Sequence, residues 1–479
     1  MSADLTRAAR RLAPLCVVFA AAVVALVSPG MASAERLAKC TEGTKINGEG
    51  STLQGLAQKE VWGGASPHAY NAAGQKNKAA CPGGPEITYN TKGKTGSGKG
   101  MENWYALEEY GPEAQGFAGT DNPPNGEIKT KIEEEGSGGK LLTIPVLQAA
   151  ITIIVNLPAN CTATAEPKTK PLPTLNRLVL GEKTIEKIFR RKITKFSQIK
   201  DGKDKLVGTG CAPTTEITRV VREDGSGTTA TFKKSLQLIF GKTEKVVNGK
   251  TWLESAEEPP ANTEWPEEAV KLVRGNGNGG VVKKVEETPG SIGYVNLANA
   301  RGEKAATAFV PPTGGEGKKT FWAPVENGLK EVVEGKSLKI FADPSENGDV
   351  AAKSKANCLE TGYVAINPET GKASKGKFPP ASTELLWNLV SAEKKEINYP
   401  LCGFTYDLAL TKYNGFKGAT IGEATTAGDY LEWVLNTEAE GGQKLIGEEK
   451  DYDGLPTNPA EPKKDVLKIA QAGAQKVGF

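Results

Sequence analysis

Histidine is nearly absent from this 479-residue chain, which contains a single one, His68. No C-x-x-C pair occurs either. Histidine and closely paired cysteines are the usual ligands of zinc, and histidine is the usual base of a nucleophilic triad. The sequence therefore disfavours a zinc site and a histidine-dependent hydrolase, and it predicts neither a metal nor a cofactor. Because His68 lies in a stretch rich in Gly, Pro and Tyr, we expect it in a solvated loop.

A large excess of charge of either sign is also missing. The chain has 60 Lys and Arg side chains against 57 Asp and Glu, and 57 against 56 once residues 1–34 are set aside. A nucleic-acid partner would require a strongly basic face. The balance therefore argues against nucleic-acid binding, and any anion must be held locally by individually placed donors.

No apolar run after the N-terminus is long enough to cross a bilayer. At the N-terminus, three arginines precede the apolar run 12–27, which is broken at 28–30 and followed by Ala-Ser-Ala at 32–34. This pattern predicts a cleaved signal peptide over residues 1–34, and hence a protein exported to a periplasm, the cell envelope or the medium. A retained membrane anchor is the alternative, but the run is short and contains Pro14.

Six cysteines remain after the predicted leader. An even number in an exported chain indicates disulfides, although six cysteines allow 15 connectivities. Because sequential pairing closes local loops, we predict the pairs Cys40–Cys81, Cys161–Cys211 and Cys358–Cys402.

The remaining chain exceeds the size of one ordinary core, so two or three lobes are expected. Strand-like runs alternate with helix-like runs, which predicts an α/β architecture. The predicted strands are 86–90, 115–119, 149–156, 217–222 and 291–297, and the predicted helices are 53–62, 101–110, 184–190, 228–240, 281–287 and 427–436. The polar or Gly- and Pro-rich stretches 160–175, 241–265, 302–318 and 343–380 are typical of loops or surface insertions.

Three short stretches, 48–52, 96–98 and 222–228, combine Gly with Ser or Thr directly before an amphipathic helix. A helix start offers unpaired N–H groups and the positive end of the dipole, and glycine lets a small anion approach the backbone. One such stretch is ordinarily just an N-cap. Three of them in one exported chain indicate an anion site.

The second stretch comes within one letter of a nucleotide-binding P-loop. Gly93, Gly98 and Lys99 fit G-x-x-x-x-G-K-[ST], but Gly100 stands where a P-loop places a hydroxyl for Mg²⁺. The stretch is therefore interpreted as a helix start that faces a free anion. The Gly-rich run 274–280 is interpreted as a turn that leads into the helix 281–287.

Two charged positions make the anion site more specific. Arg222 offers a planar fork of donors that can grip two oxygens of a tetrahedral oxyanion, and Asp224 can hold that guanidinium in place. Asp121 follows a predicted strand. A carboxylate aimed at an anion is favourable only if the anion carries a proton, as phosphate does near neutral pH and sulfate does not. A buried acceptor left unpaired by the wrong ligand can discriminate by about 10⁴–10⁵-fold.

Several of these segments resemble a known family, the substrate-binding proteins of phosphate ABC transporters. The similar segments, in the same order along the chain, are GEGSTLQ (48–54), GSGKG (96–100), FAGTDNP (117–123), LVLGEKTIEKIFRRKITKF (178–196), REDGSGTT (222–229), PGSIGYV (289–295) and DYDGLP (451–456). The family commonly has Phe-Pro where this chain has Leu53-Gln54. The resemblance covers most of the chain after the leader, and 241–265 and 302–380 match poorly.

The resemblance implies a two-lobed Venus-flytrap fold of the type II periplasmic-binding-protein class, with a mixed sheet in each lobe. It implies a discontinuous first lobe, 35–145 plus 400–479, and a second lobe, 146–399, joined by crossovers near 143–150 and 397–405. The ligand set that it implies is Thr52, Leu53, Ser97 and Asp121 from the first lobe and Arg222, Ser226, Gly227 and Thr228 from the second, with Asp224 orienting the arginine.

The function implied is that of a monomeric, non-enzymatic receptor that captures inorganic phosphate and delivers it to a membrane permease. Three alternatives stay open from the sequence. In the first, the ligand is a tetrahedral oxyanion other than phosphate. In the second, the chain is a secreted surface protein that retains the two-lobed phosphate-binding site. In the third, Ser226 is the nucleophile of a secreted hydrolase. The last lacks a plausible base.

Overall fold

The computed structural model describes residues 40–64, 66–73, 79–91, 96–105, 115–135, 139–158, 161, 169–170, 178–199, 213–257, 261–302, 320–333, 336–346, 355–359, 361–375, 378–393, 398–416, 418–438, 440–449 and 451–479. The predicted signal peptide, 1–34, lies outside these residues. Among the described residues, no helix is both long and apolar enough to span a bilayer. His68 is exposed in a turn, as predicted.

The strands are β1 (Ile46–Gly50), β2 (Ile87–Tyr89), β3 (Gln115–Thr120), β4 (Leu141–Asn156), β5 (Thr169–Lys170), β6 (Thr218–Arg222), β7 (Leu272–Gly275), β8 (Ser291–Asn296), β9 (Thr320–Ala323), β10 (Val325–Val333), β11 (Lys336–Ala342), β12 (Gly362–Ala365), β13 (Val390–Glu393) and β14 (Cys402–Leu410). The α-helices are α1 (Gly55–Ala57), which continues as the π-helix Gln58–Trp62, α2 (Gly96–Tyr105), α3 (Gly126–Glu135), α4 (Glu182–Phe189), α5 (Gly227–Phe240), α6 (Gly277–Glu287), α7 (Leu297–Arg301), α8 (Ile421–Val434), α9 (Gly442–Glu449) and α10 (Val466–Ala474).

Nine strands form one mixed sheet in the order β2-β1-β3-β14-β4-β8-β6-β7, with β9 also paired to β4. Strands β1, β2 and β3 are parallel to one another, as are β6, β7 and β8, whereas β4 runs antiparallel to β14, β8 and β9. The predicted α/β class with mixed sheets is therefore confirmed.

Strand β4 connects the two halves of this sheet. All sixteen of its residues are buried, as expected for a near-continuous apolar segment that is covered on both faces. Residues 141–150 pair with β14, whereas 151–156 pair with β8. The segment predicted as a crossover near 143–150 is thus continuous strand, and its partner changes between Ala150 and Ile151.

Three helices begin four or more residues earlier than predicted: α2 at Gly96, α6 at Gly277 and α8 at Ile421. The stretch at 96–98 was interpreted as a helix start, and it forms the first turn of α2; the run 274–280 was interpreted as a turn, but its residues from Gly277 onward form the first turn of α6. Glycine is needed at the end of β7 because the start of α6 packs closely on it. A Cβ on Gly275 would lie 2.6 Å from the carbonyl carbon of Gly280.

Two of the three predicted disulfides are confirmed. Cys40–Cys81 and Cys358–Cys402 have Cα–Cα distances of 5.5 and 5.9 Å. The third predicted pair involves Cys211, which lies outside the described residues, so this pair stays a prediction. Part of the segment predicted as insertion is ordered β structure, since β12 (362–365) pairs with β13.

Gln54, where the chain departs from the family's Phe-Pro, is fully buried beneath the loop that follows β1. Its amide donates to the Tyr406 carbonyl at 3.1 Å, and its oxygen accepts from Gln58 Nε2 at 3.0 Å. Gln58 Nε2 also lies 3.0 Å from Asp407 Oδ2. Burial raises the pKa of Asp407 to about 7, although the glutamine amides oppose this shift.

Helix α2 crosses the end of β1 so closely that position 100 has no room for a side chain. A Cβ on Gly100 would lie 2.5 Å from Gly50 Cα and 2.8 Å from the Glu49 carbonyl oxygen. Both are backbone atoms, so they cannot rotate away. The hydroxyl residue of a P-loop is excluded here by packing.

We therefore expect Gly100→Ser to lower the free energy of unfolding by about 1–3 kcal/mol, the usual cost of overpacking. Gly126→Ser is the matched control, because a Cβ on that helical glycine would meet nothing within 4 Å. Urea denaturation of both variants provides the measurement. Equal stabilities would contradict the packing argument.

A second prediction concerns Asp407. An unfolded aspartate titrates near ~4, whereas burial raises the pKa of folded Asp407 to about 7. Between these values the folded state binds more protons than the unfolded state, so this residue makes stability fall as pH rises. We expect Asp407→Asn to match the wild type near pH ~4 and to be more stable at pH ~8, by roughly 1–3 kcal/mol.

Urea denaturation across this pH range tests the Asp407 prediction. Burial also raises the pKa of Asp453 to about 7. Its contribution to the pH dependence of stability should remain in the Asp407→Asn variant and serves as an internal reference. Asp453→Asn alone should remove a separate part of the slope. An Asp407→Asn curve parallel to that of the wild type would refute the assignment.

Candidate functional site

The stretches predicted to bind an anion meet where strands from both halves of the sheet end. Strand β1 ends at Gly50, β3 at Thr120 and β6 at Arg222, and helices α2 and α5 begin beside them. Crevices at the carboxyl ends of strands are the usual binding places in α/β sheets. All eight residues predicted to contact the ligand are described, and seven of them, with Thr52 the exception, are buried.

Asp121 lies at the centre of this site and is bonded by residues from both halves of the sheet. Its Oδ1 accepts from Ser51 Oγ and, at 2.8 Å, from Thr405 Oγ1. Its Oδ2 accepts from Thr228 Oγ1 at 3.2 Å, and its backbone N–H donates to Ser97 Oγ at 3.2 Å. The carboxylate therefore receives hydroxyl donors from three separate segments.

Two opposing effects act on the pKa of Asp121. Burial raises it above the ordinary value of an aspartate. The hydroxyls of Ser51, Thr405 and Thr228 and the charge of Arg222 lower it, because each favours the ionised form. The donors around Asp121 thus favour an ionised acceptor in a place that water does not reach.

Arg222 is buried and bonded along its whole guanidinium. Its Nε donates to Asp224 Oδ1 at 2.7 Å, and its Nη2 pairs with the other carboxylate oxygen, so the salt bridge is bidentate. Its Nη1 donates to Asn278 Oδ1 at 3.2 Å. Asp224 in turn accepts from the Gly277 N–H at 2.9 Å, at the start of α6. The guanidinium therefore has one fixed orientation.

The start of α5 presses directly against the start of α2. Ser226 is the N-cap of α5, and its Oγ accepts from the Thr229 N–H at 3.1 Å. A Cβ on Gly227 would lie 2.7 Å from the Asp121 nitrogen and would also strike Ser97 Oγ. Two helix N-termini with their positive dipole ends therefore converge on one small space.

Thr52 and Leu53 extend the site from the end of β1. The partly exposed Thr52 accepts from the Asn278 N–H at 3.4 Å, a contact between the two halves of the sheet. The Leu53 N–H donates to Ser51 Oγ at 3.0 Å. The Leu53 carbonyl accepts from Asn296 Nδ2 at 2.8 Å and from the Tyr452 hydroxyl at 2.5 Å, so the loop is held through both the N–H and the carbonyl of Leu53.

Sequence reasoning missed several polar residues of this site. They are Ser51, Thr405, Asn278, Lys234, which donates to Asn122 Oδ1 at 3.1 Å, and Asn262, whose amide brackets the Ser226 backbone at 3.1 and 3.3 Å. Asn262 falls in a stretch interpreted as an insertion, and Asn278 in a run interpreted as a turn. Ser51 adjoins the predicted Thr52, so a local signal existed for that residue alone. Thr405 ends the segment 397–405, which was predicted as a crossover and not as part of the site.

Comparisons with known proteins identify the family. A model of the PBP superfamily domain matches residues 78–438. The phosphate-binding protein PstS of Methanocaldococcus jannaschii is 27% identical over 366 residues, which is 76% of each chain. The phosphate-binding protein PstS of Xylella fastidiosa is 34% identical over 104 residues, 22% of this chain and 25% of that protein. These relatives are named as binding proteins, not as enzymes.

Solved structures have the same fold at low sequence identity. A high-affinity periplasmic phosphate-binding protein, bound with phosphate, matches with a TM-score of 0.53 and 16% identity over 91% of this chain and 99% of that one. A human phosphate-binding apolipoprotein matches with a TM-score of 0.55 and 18% identity, over 89% and 94% of the two chains. At this identity the likeness concerns the fold alone, and it confirms the predicted binding-protein fold.

The sheet, the convergent helix starts and the family match over 78–438 lead to one conclusion. This chain belongs to the PBP superfamily.

Proposed function

We propose that this protein is an exported receptor that captures inorganic phosphate and delivers it to the membrane permease of a phosphate ABC transporter. One observation carries the proposal. A buried carboxylate, that of Asp121, lies among hydroxyls and convergent helix starts, within the electrostatic reach of Arg222. A negative acceptor in a positive site is suited to an anion that brings its own proton.

The proposed ligand set is the one that the family resemblance implied. Thr52, Leu53, Ser97 and Asp121 act from the first lobe, and Arg222, Ser226, Gly227 and Thr228 from the second. Hydroxyls and backbone N–H groups supply neutral donors, so the charge of the anion is met by one guanidinium and two helix dipoles. Asp224 and Asn278 hold that guanidinium in orientation.

Closure of the two lobes on the anion is the proposed mechanism of capture. The lobes are 35–145 plus 400–479, and 146–399, joined through β4 and near 397–405. Hydrogen bonds cross between the proposed lobes: the Gly98 N–H donates to the Gly225 carbonyl at 3.3 Å, and the Asn278 N–H donates to Thr52 Oγ1 at 3.4 Å. An anion held by donors from both lobes would stabilise this arrangement against the open one.

Binding without catalysis is the reading that the side chains favour. Ser226 Oγ, the position that a hydrolase would use as nucleophile, accepts from the Thr229 N–H as a helix cap. His68 is exposed in a turn. The proposal therefore includes no enzymatic activity and no cofactor, and it describes a monomeric receptor outside the cytoplasm.

Calorimetric titration of the phosphate-stripped protein tests the function. Phosphate should bind with one-to-one stoichiometry near pH 7.5, and sulfate, which brings no proton for Asp121, should give no measurable heat. Binding of neither anion would sink the proposal. Equal binding of both would favour a receptor for tetrahedral oxyanions in general.

Asp121→Asn tests the discriminating group. The amide can donate to a fully ionised oxyanion, so we expect sulfate affinity to rise while phosphate is still bound. The ratio of the two dissociation constants should narrow by at least about 100-fold out of the ~10⁴–10⁵-fold that such a site can reach. An unchanged ratio would mean that another group selects phosphate.

Arg222→Lys tests the charged donor. Lysine cannot make a bidentate contact, so the loss of charge-assisted hydrogen bonds should lower the affinity for phosphate by about 10- to 100-fold. Arg219→Lys is the matched control on the same strand, because buried Arg219 donates to the Phe189 and Glu267 carbonyls at 2.8 and 3.1 Å. The control should lose stability and keep its phosphate affinity. Equal loss of affinity in both would refute the role of Arg222.

A further inference from the structure

The two oxygens of the Asp121 carboxylate have different surroundings. Oδ1 accepts from two hydroxyls, those of Ser51 and Thr405, both from the same half of the sheet as Asp121. Oδ2 accepts from Thr228, which stands at the start of α5 in the other half. Because Thr228 is itself a proposed ligand, Oδ2 is the oxygen that faces the anion.

The two hydroxyls that donate to Oδ1 are buried and have few other hydrogen-bond acceptors within reach. Ser51 and Thr405 are both fully buried. Thr405 Oγ1 lies 2.8 Å from Asp121 Oδ1 and 3.3 Å from the Thr120 carbonyl oxygen, and both neighbours are acceptors. The Thr405 hydroxyl must therefore act as a donor, and the shorter distance directs its hydrogen to the carboxylate.

Thr405 reaches Asp121 because of its place in the sheet. Strand β14 lies between β3 and β4, and its next residue, Tyr406, pairs with Thr120 just before Asp121. The register between β14 and β4 shifts between Thr405 and Tyr406, opposite Pro145. Proline has no N–H to give a ladder, so an irregularity is expected there.

We propose that Ser51 and Thr405 are positioning residues for specificity: by donating to Oδ1 they keep Asp121 an ionised acceptor and turn Oδ2 toward the proton of the bound anion. This inference rests on the proposed phosphate-binding function and deepens it. An Asp121 that picked up its own proton would become a donor, and it would then suit a fully ionised oxyanion such as sulfate.

These hydroxyls act on the balance between the ionised and the protonated forms of Asp121. Burial raises the pKa of Asp121, and the Ser51 and Thr405 hydrogen bonds are the two largest influences that lower it. The other titratable or charged groups that interact with Asp121 are Arg222, Lys234 on α5, and the tyrosines Tyr89, Tyr406 and Tyr452. The tyrosines stay neutral at physiological pH because burial raises each pKa. Removal of one Oδ1 donor is therefore expected to favour the protonated carboxyl.

The test compares Thr405→Val, Thr405→Ser and the control Thr231→Val in the full mature chain. Valine removes the hydroxyl and keeps the shape, and serine restores the hydroxyl. Thr231 donates at 3.1 Å to the main-chain carbonyl of Asp121 and not to its carboxylate. Dissociation constants for phosphate and sulfate are measured by calorimetry from about pH 5 to pH 8.

We expect Thr405→Val to lower the phosphate-to-sulfate preference by about 10- to 100-fold, the equivalent of one hydrogen bond to a charged group. Its loss of phosphate affinity on acidification should also begin at a higher pH than in the wild type. Thr405→Ser should recover both properties, and Thr231→Val should change neither the preference nor the pH profile. Ser51→Ala should act in the same direction as Thr405→Val and carries the test if the valine variant does not fold.

The possible outcomes distinguish failure of the proposed function from failure of the inference about Ser51 and Thr405. A wild-type protein that binds no phosphate would overturn the proposed function and this inference with it. A wild type that prefers phosphate, together with a folded Thr405→Val or Ser51→Ala variant of unchanged preference and pH profile, would overturn the inference alone. If Thr231→Val changed the phosphate-to-sulfate preference as much as Thr405→Val, the inference would also be overturned, because the effect would then come from packing.

Discussion

The burial of one carboxylate constrains the whole site. An ion taken out of water costs several kcal/mol unless it is paired and hydrogen-bonded, and Asp121 is buried without a direct salt bridge among the described contacts. Its stabilisation comes from hydroxyls that arrive from the loop after β1, from β14 and from the start of α5. Because these segments belong to both halves of the sheet, the halves must approach one another closely for the carboxylate to be satisfied.

Close approach explains why glycine occurs where the motifs have it. Gly50 has a φ of 132°, and a Cβ there would strike the Gly119 carbonyl. Gly100 crosses above Gly50, and Gly227 lies against the Asp121 backbone. A resemblance to a P-loop arises because both kinds of site bring a helix start close to an anion. Here the missing hydroxyl at position 100 follows from the packing of α2 on β1.

The parts of this site that depend on residues close in sequence could be predicted, and the parts that depend on distant residues mostly could not. Gly, Ser and Thr before a helix are readable because capping is a contact between residues near in sequence. Even so, Thr420 and Glu423 form a capping box that marks the start of α8, and the prediction began that helix at 427. Thr405 and Asn278 could not be found in this way. Thr405 reaches Asp121 across 284 residues, through strand pairing that no local pattern specifies.

The C-terminal motif DYDGLP joins the ligand loop to the body of the protein. Asp451 pairs with buried Arg301, with Nε–O distances of 2.8 Å, and Asp453 Oδ2 accepts from the Cys358 N–H at 2.9 Å. Between them, the Tyr452 hydroxyl donates to the Leu53 carbonyl. Each residue of this triplet thus binds a different element, and the middle one fixes the Leu53 carbonyl in the loop that follows β1. A loop anchored in this way can present its donors with little loss of entropy on binding, which is what selection of a small anion requires.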